Sequence, residues 1–179
     1  NHLKLKAIYS ELLKLKSSKE KALLKKLALI YRLKAQDRAL ARHQANEVAR
    51  ISDEIVDVVK SGGFNFVGFK LWLGDGYEGS VKIARKIKTA CPGVKIFGGG
   101  PLVDEAEGVI LEDSRGVFDA LVYGDGEEAV VGLAEFSESK KNPGEIPNVI
   151  FISEGRIVKT AQKLIDNLDD LPLPIYDED

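Results

Sequence analysis

The sequence predicts an α/β protein: a mostly parallel sheet flanked by helices, extended by helices at the amino end and by a β-hairpin at the carboxyl end. Three observations carry that prediction. Two apolar strand-like runs, 94–97 and 120–123, each break into glycines and then into helix-like sequence, at Gly98-Gly99-Gly100-Pro101 and Gly124-Asp125-Gly126-Glu127. A strand that runs into glycine and then helix lets a ligand approach bare backbone at the carboxyl edge of a parallel sheet. Strands alternating with helices imply right-handed crossovers and parallel pairing. Charge also divides the chain: residues 1–50 carry 13 Lys/Arg and 4 Asp/Glu, residues 51–179 carry 13 and 24. Behind a net charge of only −2 stand two structural regions.

The elements follow in order. Leu5, Ile8, Leu12, Leu15 and then Leu23, Leu27, Ile30 recur at three- and four-residue steps among lysines, the pattern of amphipathic helix. Ser17-Ser18 reads as a break, with Ser18 capping a second helix. The run 47–51 reads as a short edge strand or as continued helix. Ser52-Asp53-Glu54 has the form of a helix start, a capping hydroxyl followed by acids in the first turn. That helix stops at Ser61-Gly62-Gly63. Residues 64–73 form an apolar strand, as expected where both faces are covered. A helix over 77–90 carries Val81, Ile83, Ala84 and Ile87 inward and ends at Cys91-Pro92-Gly93. Helices are expected near 104–111 and 127–138. Residues 148–153 and 156–160, joined by Glu154-Gly155, read as a hairpin. Only three strands read as parallel. The expected division is a basic helical extension over 1–45, an α/β domain over 46–165 and a linker over 166–179, where Leu171-Pro172-Leu173-Pro174 stiffens the chain.

Composition narrows the function. At 44% apolar and 30% charged the chain can build a core. No run reaches the roughly 20 apolar residues of a membrane span. One cysteine, Cys91, rules out an internal disulfide and fits a reducing, cytoplasmic setting; at a helix end before proline it reads as a small buried hydrophobe. A chain that lacks methionine and starts with Asn reads as part of a longer protein. The basic helices are expected to be solvated, or to pair with a second copy. Their thin aromatic content (Tyr9 and Tyr31) speaks against nucleic acid. No Ser–His–Asp, Cys–His or metal-ligand cluster is present, so no catalytic residue is assigned. The carboxylates of 166–170 and 177–179 read as solvated charge.

Several pieces occur in a telling order: Val67-Gly68-Phe69 opening a strand; Pro92-Gly93-Val94-Lys95-Ile96 before Gly99-Gly100-Pro101; Gly124-Asp125-Gly126-Glu127; a hairpin with Gly155-Arg156-Ile157-Val158; and Leu168-Asp169-Asp170-Leu171-Pro172-Leu173-Pro174. Over about Ser52 to Asp177 the chain resembles the cobalamin-binding domain at the amino end of many radical S-adenosylmethionine enzymes. The resemblance implies a Rossmann-like (flavodoxin-like) fold and cobalamin as cofactor. The loop Leu71-Trp72-Leu73-Gly74, the turn Gly98-Gly99-Gly100-Pro101 and the turn Tyr123-Gly124-Asp125-Gly126-Glu127 would then wall the cofactor's tail, with Trp72 and Leu73 near the corrin. It also implies a radical core, covalently linked on the carboxyl side, with a 4Fe-4S cluster and S-adenosylmethionine. That core would perform methyl transfer or another radical reaction. The cluster needs three cysteines, so this stretch has no such activity alone.

Two departures stand out. The Asp-x-His-x-x-Gly motif that supplies a lower axial histidine is absent, which implies binding without a histidine ligand. Only His2 and His43 exist. Helical sequence also occupies 1–45, where a first strand would lie. Two other expectations stay open: a cofactor-free α/β scaffold for protein contacts, and a flavodoxin-like domain for another phosphate ligand. Neither a Walker loop nor a Gly-x-Gly-x-x-Gly motif supports the latter.

Overall fold

The structure is a computed structural model that describes residues 2–14, 21–167, 169 and 171–172. The expected break and cap at Ser17-Ser18, and the tail beyond Pro172, lie outside the described residues. The chain divides into two compact units, Asn1–Ile51 and Ser52–Asp179.

The first unit is helical: α1 (His2–Lys14), then α2 (Lys21–Gly62), whose 42 residues continue into the second unit. Ile8 and Leu29 are buried, whereas Leu27, Ile30, Tyr9 and Tyr31 stay exposed. Helix α2 runs through both the strand alternative at 47–51 and the cap expected at Ser52. Residues 45–51 contain neither glycine nor proline, so the propagating helix overrides a local capping signal. Ser52 lies buried within it. The helix stops where Gly63 turns left-handed (φ 64°), the usual role of glycine just past a helix end.

The second unit holds one five-stranded sheet in the order β1-β2-β3-β4-β5. Strand β1 (Phe66–Lys70) leads through α3 (Asp75–Ala90) to β2 (Lys95–Gly99). Two short helices, α4 (Pro101–Ala106) and α5 (Val109–Asp113), lead to β3 (Ala120–Val122). They replace the single helix expected near 104–111, because Glu107 is left-handed (φ 46°) between them. Then follow α6 (Glu127–Ser137), β4 (Val149–Ser153) and β5 (Arg156–Lys159). Strands β1, β2 and β3 are parallel. Strand β4 pairs antiparallel with β3, and β5 with β4. The hairpin turns at Glu154-Gly155, both left-handed (φ 50° and 73°), which matches the twist of its strands. Among the described residues no helix is long and apolar enough to cross a membrane.

Because successive residues of a strand face opposite ways, the sheet divides two cores. On one face Leu71, Ile96, Leu121 and Ile150 pack against α3, α4, α5 and the end of α2, through Val81, Ala84, Ile87, Val103, Leu111, Val56 and Val59. Cys91 packs at the margin of that core and is only partly buried, where full burial was expected. On the other face Phe97, Ala120, Val149 and Phe151 pack against Ala129 and Leu133 of α6. Strand β1 is therefore an edge strand covered on one face and, on the other, only at Phe66, not on both throughout as its apolar sequence suggested. The ordered strand is also shorter than the apolar run. At its amino end β3 is anchored by Asp119, which accepts from the Ile96 N–H at 2.7 Å and pairs with Lys88.

Candidate functional site

The α6 side of the sheet carries a trough of about 310 Å³ over the carboxyl ends of β1, β2 and β3. Its position follows from register. Phe66, Gly68 and Lys70 of β1 point to this face, and so do Phe97 and Gly99 of β2; Gly68 lies opposite Phe97 and Lys70 opposite Gly99. Two neighbouring strands thus present glycine where side chains would otherwise fill the face. A Cβ at Gly68 would meet nothing within 4 Å, and one at Gly99 only Val122 at 3.6 Å. Phe66 and Phe97 form an aromatic floor with ring centroids 5.4 Å apart. Val122, Val130 and Leu133 supply the far wall, and Gly124 and Gly126 the rim.

Gly98 and Gly100 have different work. A Cβ at Gly98 would point to the opposite face, 2.8 Å from both Leu71 Cδ1 and Leu121 Cδ2. Gly100 has φ 103°, and a Cβ there would lie 3.2 Å from Lys70 Cγ and 3.3 Å from the Leu71 carbonyl oxygen. Both therefore permit close packing of the turn, and Gly100 a backbone conformation that only glycine adopts readily.

The two glycine turns are held by Asp104 and Asn148, which sequence reasoning did not single out, and by Asp125, which it did. Asp104 of α4 accepts a hydrogen bond from the Gly124 N–H at 2.8 Å, tying the second turn to the helix that follows the first. Asn148, 2% exposed, donates to the carbonyls of Asp125 (2.5 Å) and Lys163 (2.8 Å) and accepts from the Lys163 N–H (2.6 Å). The Asp125 carboxylate accepts from the Ile165 N–H at 2.9 Å. Beside the turn, Lys159 lies 4.3 Å from the Tyr123 ring centroid; its hydrogen bond to Glu107 (2.7 Å) raises its pKa.

Of the residues expected at the site, Gly98, Gly99, Gly100, Gly124 and Gly126 line this one trough. The others lie elsewhere. Leu71 is fully buried in the opposite core. Tyr123 is buried there too, and its hydroxyl donates to the Thr160 carbonyl at 2.6 Å. Trp72 and Leu73, 54% and 71% exposed, follow β1 outside the trough. Gly74 (φ 79°) precedes α3 and Pro101 opens α4. Asp125 and Glu127 line a separate cleft of about 300 Å³ with Glu128, Asn148 and Lys163. Phe66, Gly68, Lys70, Phe97 and Val130 line the trough without having been singled out as site residues. A period-of-two reading of 66–70 would have placed Gly68 and Lys70 on one face. Among the described residues, no cluster of His, Cys, Asp or Glu is placed to hold a metal ion.

An open, mostly parallel sheet with a glycine-lined, nearly uncharged trough at its carboxyl edge defines a Rossmann-like ligand-binding domain. The model of one family, described as a B12 binding domain, matches residues 33–134. That is more than half of the chain, and the chain belongs to this family. No curated protein matches it.

Proposed function

We propose that the α/β unit holds cobalamin by its nucleotide tail, for the reaction of a radical S-adenosylmethionine core carried on the same polypeptide. Cobalamin supplies a cobalt centre able to carry a methyl group or support radical chemistry. The observation that carries the reading is the trough itself: an aromatic floor at Phe66 and Phe97 beside bare backbone at Gly68 and Gly99. A flat base can stack on the rings and approach the glycines without meeting a side chain. Volume agrees, because about 310 Å³ admits the tail and leaves the corrin outside, where Trp72 and Leu73 offer exposed apolar surface. No histidine follows His43 in the sequence, so within the α/β unit the corrinoid is held without an imidazole ligand.

On this reading the unit binds, orients and shields the cofactor and performs no step of its own. The 4Fe-4S cluster, S-adenosylmethionine and the substrate belong to the core, where methyl transfer or another radical reaction takes place. The test is titration of the purified chain with hydroxocobalamin, then desalting and an absorbance spectrum. Retained, near-stoichiometric corrinoid with a shifted spectrum is expected. Complete loss of colour would favour a cofactor-free scaffold instead.

A further inference from the structure

We infer that Lys70 selects for the phosphate of the ligand's tail, a role that rests on the trough being that tail's seat. Lys70 is the only charged side chain among the residues that line the trough. Register places it across from Gly99, on the face it shares with Gly68. Gly100 leaves its stem room, since a Cβ there would lie 3.2 Å from Lys70 Cγ.

The surrounding electrostatics make this lysine unusual. The region from residue 51 onward has an acidic excess, with 13 Lys/Arg against 24 Asp/Glu. Other lysines of the unit sit against carboxylates: Lys86 on Asp53, Lys88 on Asp119, Lys159 on Glu107 and Lys163 on Glu128. Lys70 forms no ion pair among the described residues. Its ammonium lies 4.9 Å from the Trp72 ring centroid, a contact that positions a cation without neutralising it. An unneutralised ammonium at the mouth of an otherwise uncharged trough is complementary to an anion whose flanking groups are apolar. A phosphate ester joined to a flat base has that form, and lysine meets phosphate as a point charge.

The experiment compares dicyanocobinamide with dicyanocobinamide phosphate, which differ by the phosphate alone. Binding is read by equilibrium dialysis and by quenching of Trp72, the single tryptophan of the chain. Wild type should bind the phosphate form about tenfold or more tightly, as befits a hydrogen bond to a charged group. Raising salt should erode that preference. Lys70→Met keeps an unbranched stem and removes the charge; it should abolish the preference, so that the two probes bind it alike. Lys70→Arg should retain most of it. Equal affinity of wild type for both probes, or a preference that survives in Lys70→Met with an unchanged circular dichroism spectrum, overturns the role of Lys70. A wild type that retains cobalamin but binds neither probe overturns the role of Lys70; failure to retain cobalamin as well overturns the seat in the trough, and the role of Lys70 with it.

Discussion

Replacing Asn148 with alanine tests how the second glycine turn is held. The side chain is 2% exposed and makes three hydrogen bonds, to the Asp125 carbonyl and to both backbone groups of Lys163. Its backbone is left-handed (φ 59°), a conformation that asparagine adopts more readily than alanine. At about 1 kcal/mol net for each hydrogen bond, the lost amide costs about 3 kcal/mol. The left-handed backbone adds about 1 kcal/mol for alanine. Asn148→Gly loses the same hydrogen bonds but escapes that strain, so it should be about 1 kcal/mol less damaging. Domains of this kind hold only about 5–15 kcal/mol in all, so the alanine variant should unfold at markedly lower urea. The assay is urea denaturation followed by circular dichroism, with the slope compared among wild type, Asn148→Ala and Asn148→Gly. A loss below about 1 kcal/mol for alanine, or equal losses for alanine and glycine, would refute the reasoning.

Three further outcomes follow from the same geometry. Gly98→Ala drives a methyl to 2.8 Å from Leu71 and Leu121, both fully buried, and should cost about 1–2 kcal/mol in urea denaturation; unchanged stability would mean that those leucines are not locked in place. Gly68→Val and Gly99→Val should behave oppositely, keeping the midpoint and helical circular dichroism while corrinoid retention on desalting falls at least tenfold; undiminished retention would remove the trough as the site. Burial, and then the hydrogen bond to Asp113 at 2.7 Å, raise the pKa of Tyr77 above its ordinary value of 10.0. The folded phenol thus keeps its proton to higher pH than the unfolded one. Its contribution is complete below about pH 10 and is lost as pH rises beyond, so Tyr77→Phe should flatten the alkaline limb of a stability–pH curve.

The strand–glycine–helix punctuation was legible because each signal is local. Gly98 and Gly99 prove to be the last residues of β2, with Gly100 just beyond it, and Gly124 follows β3 after one residue; Glu154-Gly155 turns the hairpin as its composition requires. Helix α2 was misread at Ser52 because a capping motif states only that a helix can begin, not that the preceding one has ended. Asn148 was hidden for another reason. Its partners, Asp125 and Lys163, are distant in sequence, and no periodicity marks a side chain whose task is to satisfy someone else's backbone. Leu71 went the opposite way: its neighbours Trp72 and Leu73 are exposed, and only strand phase tells that Leu71 falls into the core.

Strand β1 shows why topology has to be known before a site can be drawn. Its apolar sequence implied cover on both faces, yet β1, β2 and β3 lie side by side in chain order. Right-handed crossovers that advance in one direction put every connecting helix on one face. Helices α3, α4 and α5 accordingly pack together against a single core. The opposite face receives α6 and Ile146; α6 follows the last parallel strand and covers Phe97 and Ala120 but not Gly68. The bare floor at β1 is therefore a consequence of strand order, and the glycine at 68 keeps it bare. With an ordinary β-branched residue there, the same topology would leave an exposed apolar edge and no trough. The site owes its place to the connections and its depth to two glycines on adjacent strands, one of which the turn motifs never marked.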